Sequence, residues 1–161
     1  PCQDVSHAGD RAGIEGQHSG LWTHFAETIR RVRPRYVIVE NTPGLLARGM
    51  GRVVGDLATI GYDAEWDCVP ATAVGAPHLR TRLWILAYPR SVRDTQRHPL
   101  RAGWPVPRLR SWWATEPPMG RVVDGVPARL VRPELRPLGN AVVPQVAEHV
   151  GRLVMARSLP E

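Results

Sequence analysis

Apolar positions along the chain fall into patterned stretches set apart by polar or proline-rich ones. Leu21, Trp22, Phe25, Ile29 and Val32 recur at the spacing of one helix face, with Ser19 as an N-cap and Pro34 closing the pattern. Tyr36 to Val39 is a short β-branched apolar run that reads as a buried strand, broken by Pro43-Gly44. Leu46, Met50, Val53, Val54, Leu57 and Ile60 predict a second helix, stopped by Gly61. Tyr62 to Val69 alternates loosely, as a strand would, and Leu83 to Ala87 is a clearer strand. Pro144 opens a last helix whose Val146, Val150, Leu153 and Val154 share a face. Strands alternating with helices predict an α/β sheet with parallel members.

Two stretches carry no such period. Residues 1–18 are polar and glycine-rich and read as a flexible loop. Residues 89–137 are rich in proline, with Arg101, Trp104, Arg108, Arg110, Trp112 and Trp113 interleaved, and predict an irregular insert.

Length and composition then narrow the class. A chain of 161 residues can bury one sizeable core, and 43% hydrophobic with 22% charged residues is the balance of a globular protein. No apolar run reaches the roughly 20 residues that span a bilayer, and no signal segment opens the chain, so a cytoplasmic protein is expected. The net charge is +6, and all 21 basic residues are Arg. A GC-rich genome accounts for Arg over Lys but not for the excess charge, which favours a polyanionic partner. The two cysteines form no CxxC pair and the six histidines no ligand spacing, so no metal site is expected.

Candidate chemistry begins with Cys2, in a polar loop ahead of a predicted helix, where a thiol can be deprotonated into a nucleophile. A Pro-Cys dipeptide taken alone reads better as an incidental free cysteine. Glu40 stands at the tip of the Tyr36–Val39 run, where ligands of open α/β sheets bind; its competing reading is a solvated strand end. Arg80 and Arg82 are two residues apart and point the same way if extended, which would let them grip a phosphate, a base carbonyl or the Cys2 loop.

Taken in order, Pro1-Cys2-Gln3, Glu40-Asn41-Thr42, the stretch from Gly75 to Arg82, and the stretch from Leu138 to Pro144 resemble the C5-cytosine-specific DNA methyltransferases. Those enzymes carry a Pro-Cys loop, a Glu-Asn-Val motif, a Gln-x-Arg-x-Arg motif, a variable recognition region and a closing Gly-Asn-x-Val-x-Pro motif. Thr42 stands in place of the usual Val, a near-isosteric change, and His78 in place of the usual Gln. The family's glycine-rich first motif and its ribose-holding acid are not in the chain, which looks like the C-terminal two-thirds or so of such an enzyme.

The resemblance implies a partial Rossmann-like, S-adenosylmethionine-dependent methyltransferase sheet with a short, mostly irregular target-recognition insert. It divides the chain into a catalytic α/β portion over 1–88, the insert over 89–137, and a returning motif and helix over 138–161. It implies that Cys2 attacks C6 of a flipped cytosine, that Glu40 holds or protonates N3, that Arg82 contacts the base carbonyl and that Arg80 contacts the active-site framework. Gln3 and Ser6 would touch the DNA strand, and Pro1, Asn140 and Ala141 would lie beside the cofactor, S-adenosylmethionine. Implied partners are double-stranded DNA, a missing N-terminal half or complementing subunit, and a restriction endonuclease, in a bacterial or phage, nucleoid-associated setting with no membrane. The alternatives are a DNA-binding remnant without turnover, an RNA cytosine-C5 methyltransferase and, with no supporting motif, a cysteine hydrolase using Cys2 with His7 or His24.

Overall fold

The computed structural model describes residues 21–76, 79–91 and 141–158. Helix α1 (Leu21–Val32) buries Trp22, Ala26 and Ile29, an i, i+4, i+7 stripe. That face is narrower than the sequence spacing suggests, since Leu21, Phe25 and Val32 are exposed. Phe25 instead meets Trp22 edge to face, with ring centroids 5.8 Å apart. Arg33, in the left-handed region at φ 53°, turns the chain out of α1 and lays its guanidinium over the Tyr62 ring.

Strand β1 (Val37–Asn41) follows. The second predicted helix is two, α2 (Leu45–Arg48) and α3 (Met50–Ile60), because Gly49 between them has φ 161° and cannot continue a helix. Gly61 stops α3 as the sequence indicates, left-handed at φ 90° with its N–H closing the last turn. Strand β2 (Tyr62–Val69), a 3-10 turn (Ala71–Val74) and strand β3 (Arg82–Pro89) complete the sheet. The last helix, α4 (Pro144–Ser158), starts on Pro144 as predicted.

The strand order is β1-β3-β2, with β3 antiparallel to both neighbours. The parallel pairing expected from the alternation of elements is therefore absent among the described strands. β1 and β2 do run in the same direction, joined across α2 and α3, but β3 lies between them. Helices packed on both faces of β3 bury Leu83 to Ala87 throughout.

The register sorts the core into two faces. Leu83, Ile85 and Ala87 pack with Trp22, Ile29, Val53 and Leu57 beneath α1 and α3. Trp84 packs on the other face with Val69, Ala73, Val146 and Val150, and Leu86 with Val154, beneath α4. The result is a layered α/β unit with helices on both sides of one central strand. Val53, Leu57 and Leu83 are fully buried, each side chain contributing about 1.5–3 kcal/mol. Among the described residues no helix is long and apolar enough to cross a membrane. The proposed insert beyond Ser91, the loop over 1–18 and the Ser19 N-cap lie outside the described residues.

Candidate active site

β1 and β3 together present the first acidic–basic pair. The register sets Glu40 opposite Trp84, so Glu40, Trp84 and Arg82 share the α4 face, with Arg82 the diagonal neighbour of Glu40. The Arg82 guanidinium Nε lies 3.1 Å from Glu40 Oε1, with the two side chains only 16% and 26% exposed. Arg82 also donates from Nη1 to the Thr81 carbonyl at 3.0 Å, which fixes its fork. Burial pushes the Glu40 carboxyl above its ordinary range, and the positive charges of Arg82 and Arg80 offset that only in part. Such a carboxyl can hold a proton and hand it to a ring nitrogen, while the adjacent guanidinium donates to an oxygen.

Arg80 makes a different hydrogen bond from Arg82. Its φ of 20° departs from extended backbone, so the two-residue alternation expected of this pair does not apply. Its Nη2 instead donates to the Ala141 carbonyl, just ahead of α4. The preceding residue is held too, since the Ala71 N–H donates to the Leu79 carbonyl at 2.8 Å. The structure thus brings Glu40, Arg80, Arg82 and Ala141 to one end of the sheet from three separate segments. Cys2, Pro1, Gln3, Ser6, His78 and Asn140 lie outside the described residues.

The turn after β1 is tightly specified. The Thr42 N–H donates to Asn41 Oδ1 at 2.8 Å, and the Leu45 N–H donates to the Thr42 carbonyl at 3.1 Å. Thr42 Oγ1, Trp84 Nε1 and Gln145 Oε1 are buried with no hydrogen-bond partner among the described residues. Sequence reading gave none of the three a role. Thr42 carried a signal, as a hydroxyl where the resemblance has Val; Trp84 read only as a strand hydrophobe. Among the described residues no group of His, Cys, Asp or Glu could hold a metal ion.

The model of the C-5 cytosine-specific DNA methylase family matches residues 1–107. The chain belongs to that family. Pro1-Cys2-Gln3, Glu40-Asn41-Thr42 and the stretch from Gly75 to Arg82 lie within the matched residues. The chain is similar to the type II methyltransferase M2.BsuMI of Bacillus subtilis (strain 168), 35% identical over 95 residues, covering 54% of this chain and 24% of that protein. It is similar to the type II methyltransferase M.CviJI of Paramecium bursaria Chlorella virus IL3A, 34% identical over 88 residues, with 54% and 24% covered. The orphan methyltransferase M.SPRI of Bacillus phage SPR is 29% identical over 90 residues, with 53% and 20% covered. The chain thus spans about a quarter or less of the length of these curated relatives. A solved structure of the Entamoeba histolytica methyltransferase EhMeth is 17% identical, with a TM-score of 0.39, covering 60% of this chain and 32% of that one, too slight a likeness to carry weight.

The methylase family implies S-adenosylmethionine as methyl donor. Of the three residues assigned to it, only Ala141 is described, and its carbonyl is already taken by Arg80.

Proposed function

We propose that the chain carries the base-activating chemistry of a DNA (cytosine-5)-methyltransferase acting on a cytosine flipped out of double-stranded DNA. The observation that carries this reading is the Glu40–Arg82 pair, a shielded carboxyl with a raised proton affinity beside a fixed guanidinium, in a chain of this family. The Cys2 thiolate attacks C6 and forms the Sγ–C6 bond. The C5=C6 electrons shift toward C4, and N3 takes a proton from Glu40. The ring is left as an enamine with a nucleophilic C5, which divides a hard displacement into easier steps. Arg82 donates to the base carbonyl, and Arg80 holds the framework by its bond to Ala141. Gln3 and Ser6 contact the strand beside the flipped nucleotide, while Pro1 and Asn140 lie on the cofactor side. The methyl group would come from S-adenosylmethionine, the donor the family implies. A restriction endonuclease partner and a bacterial or phage setting accord with the similarity to type II and phage relatives.

The test is covalent trapping of duplex DNA containing 5-fluorocytosine, with labelled cofactor present. A gel-stable complex is expected, lost in Cys2→Ser; trapping that survives Cys2→Ser sinks the nucleophile assignment. A second reading is DNA binding without turnover. Titration of labelled S-adenosylmethionine against the chain separates the two, since tight binding removes the second reading.

A further inference from the structure

The end of the sheet away from Glu40 and Arg82 is built around arginine. Arg33 and Arg90 converge on the turn that follows α3. Arg33 donates from Nη1 to the Ile60 carbonyl, and the Arg90 N–H donates to the Gly61 carbonyl at 3.0 Å. The Arg33 guanidinium lies over the Tyr62 ring, 5.2 Å from its centroid, and that of Arg35 over the Tyr36 ring at 5.6 Å. Pro34 between them is fixed as well, because its carbonyl accepts from the Tyr62 hydroxyl. Arg33 holds a left-handed backbone at a helix end, where glycine would carry no strain, so its side chain is retained for something glycine cannot do.

Charge at this end is in excess. Arg30 and Arg31, in the last turn of α1, share Glu27, and Arg90 pairs with Asp63 at 3.1 Å with both side chains exposed. Arg33 and Arg35 are exposed and have no carboxylate partner among the described residues. Five guanidinium groups thus stand against two carboxylates. The two rings belong to opposite faces of the sheet, Tyr62 to the α1–α3 core and Tyr36 to the cluster beneath α4. The cations are therefore spread across the sheet end rather than gathered on one point, which suits a row of phosphates and not a single small anion. Seated on rings, they are oriented before a partner arrives, and their forks match phosphate oxygens. Arg82 opens β3 and Arg90 follows its last residue, so roughly 23 Å of strand separates this end from the Glu40–Arg82 pair.

We propose that Arg33, Arg35 and Arg90 form a DNA contact of their own, a surface for the phosphodiester backbone at the end of the sheet remote from the base site. It supplies affinity without reading sequence. It stands apart from the base-activating reading, since it needs neither cytosine nor Cys2.

The probe is a labelled duplex made only of A·T pairs, titrated with the purified chain over a range of salt concentrations. Wild-type affinity should fall with salt. The double substitution Arg33→Gln and Arg35→Gln should lower the slope of log affinity against log salt by about 2, at roughly 0.9 per phosphate contact. Arg35→Lys, which keeps the charge, should stay close to wild type. Arg33 also caps α3, so Arg35→Gln alone is the variant to use if the double one fails to fold, with an expected drop of about 1. An unchanged slope in the folded variant overturns the surface. So does a wild-type chain that does not bind the A·T duplex, or that binds phosphatidylserine vesicles more tightly than the duplex. Cys2-dependent trapping of 5-fluorocytosine DNA at low salt should survive the double substitution; its loss there would make these arginines part of the base site and overturn the separation. Failure of the wild-type chain to trap, with the salt slopes as expected, would sink the base-activating reading and leave this surface standing.

Discussion

Two indole N–H groups lie buried on opposite faces of β3, and their fates differ. Trp22, on the α1–α3 face, donates from Nε1 to Asp56 Oδ2 at 2.9 Å, and Arg52 holds the same oxygen at 2.8 Å. Trp84, on the α4 face, has no partner for its Nε1 among the described residues. The hydroxyls repeat the contrast. Tyr62, packed with the α1–α3 core, donates to the Pro34 carbonyl at 2.6 Å, whereas the Thr42 hydroxyl, just past β1, has no partner among the described residues. One face is closed chemistry, with polar atoms satisfied inside the chain. The other keeps polar atoms open beside a charged pair, as expected where a ligand completes the structure.

Substitutions on the two faces should accordingly fail in different currencies. The largest effect is expected from Glu40→Gln, which should lower Cys2-dependent adduct formation by about 100-fold or more. The same variant should shift the denaturant midpoint little, since it removes a carboxyl whose burial is unfavourable; a strongly destabilised variant would make Glu40 part of the scaffold instead. Leu57→Ala, on the closed face, should cost about 2–5 kcal/mol in denaturant unfolding while any folded fraction still forms adduct. A matched pair comes next. Trp22→Phe and Trp84→Phe both leave a void, but only the first loses a hydrogen bond, so it should be the more destabilising by about 1 kcal/mol. Equal costs would mean that the Trp84 indole is satisfied after all. Tyr62→Phe should cost about 1 kcal/mol through the lost bond to Pro34.

The smallest effect is a slope with pH. Burial raises the Glu40 carboxyl in the folded chain, so the folded state binds that proton more tightly than the unfolded one. The stability this supplies is full below the ordinary value near 4.5 and is lost as pH rises through the raised folded value. Unfolding free energy measured from pH 4 upward should show a decline in that window that Glu40→Gln flattens. An unchanged slope would place the titration elsewhere.

How much of this was legible beforehand follows from which physics each feature uses. Helical spacing located α1, α3 and α4, because burial of one stripe is written in the period of the sequence. Gly61 announced the end of α3 for the same local reason. The order of the strands was not legible. A continuous apolar run records that both faces are covered, and says nothing about whether the neighbour runs with it or against it. The break at Gly49 and the turn of Arg80 toward Ala141 depend on backbone angles that neighbouring residues do not dictate. Glu40 and Arg82 could be singled out by type and position, but their ion pair exists only because β1 and β3 are adjacent. Thr42 looked like a near-isosteric stand-in for Val, and the burial of its hydroxyl without a partner among the described residues depends on packing that the sequence does not display.

The strand order also sets a sequence of events. β1 and β2 leave the ribosome before β3, yet neither pairs with the other; each waits for the strand that will lie between them. Among the described strands neither ladder forms before residue 82, because both use β3. Closure over such separations is slow compared with local helix formation. The Glu40–Arg82 pair thus forms only once β3 has docked beside β1.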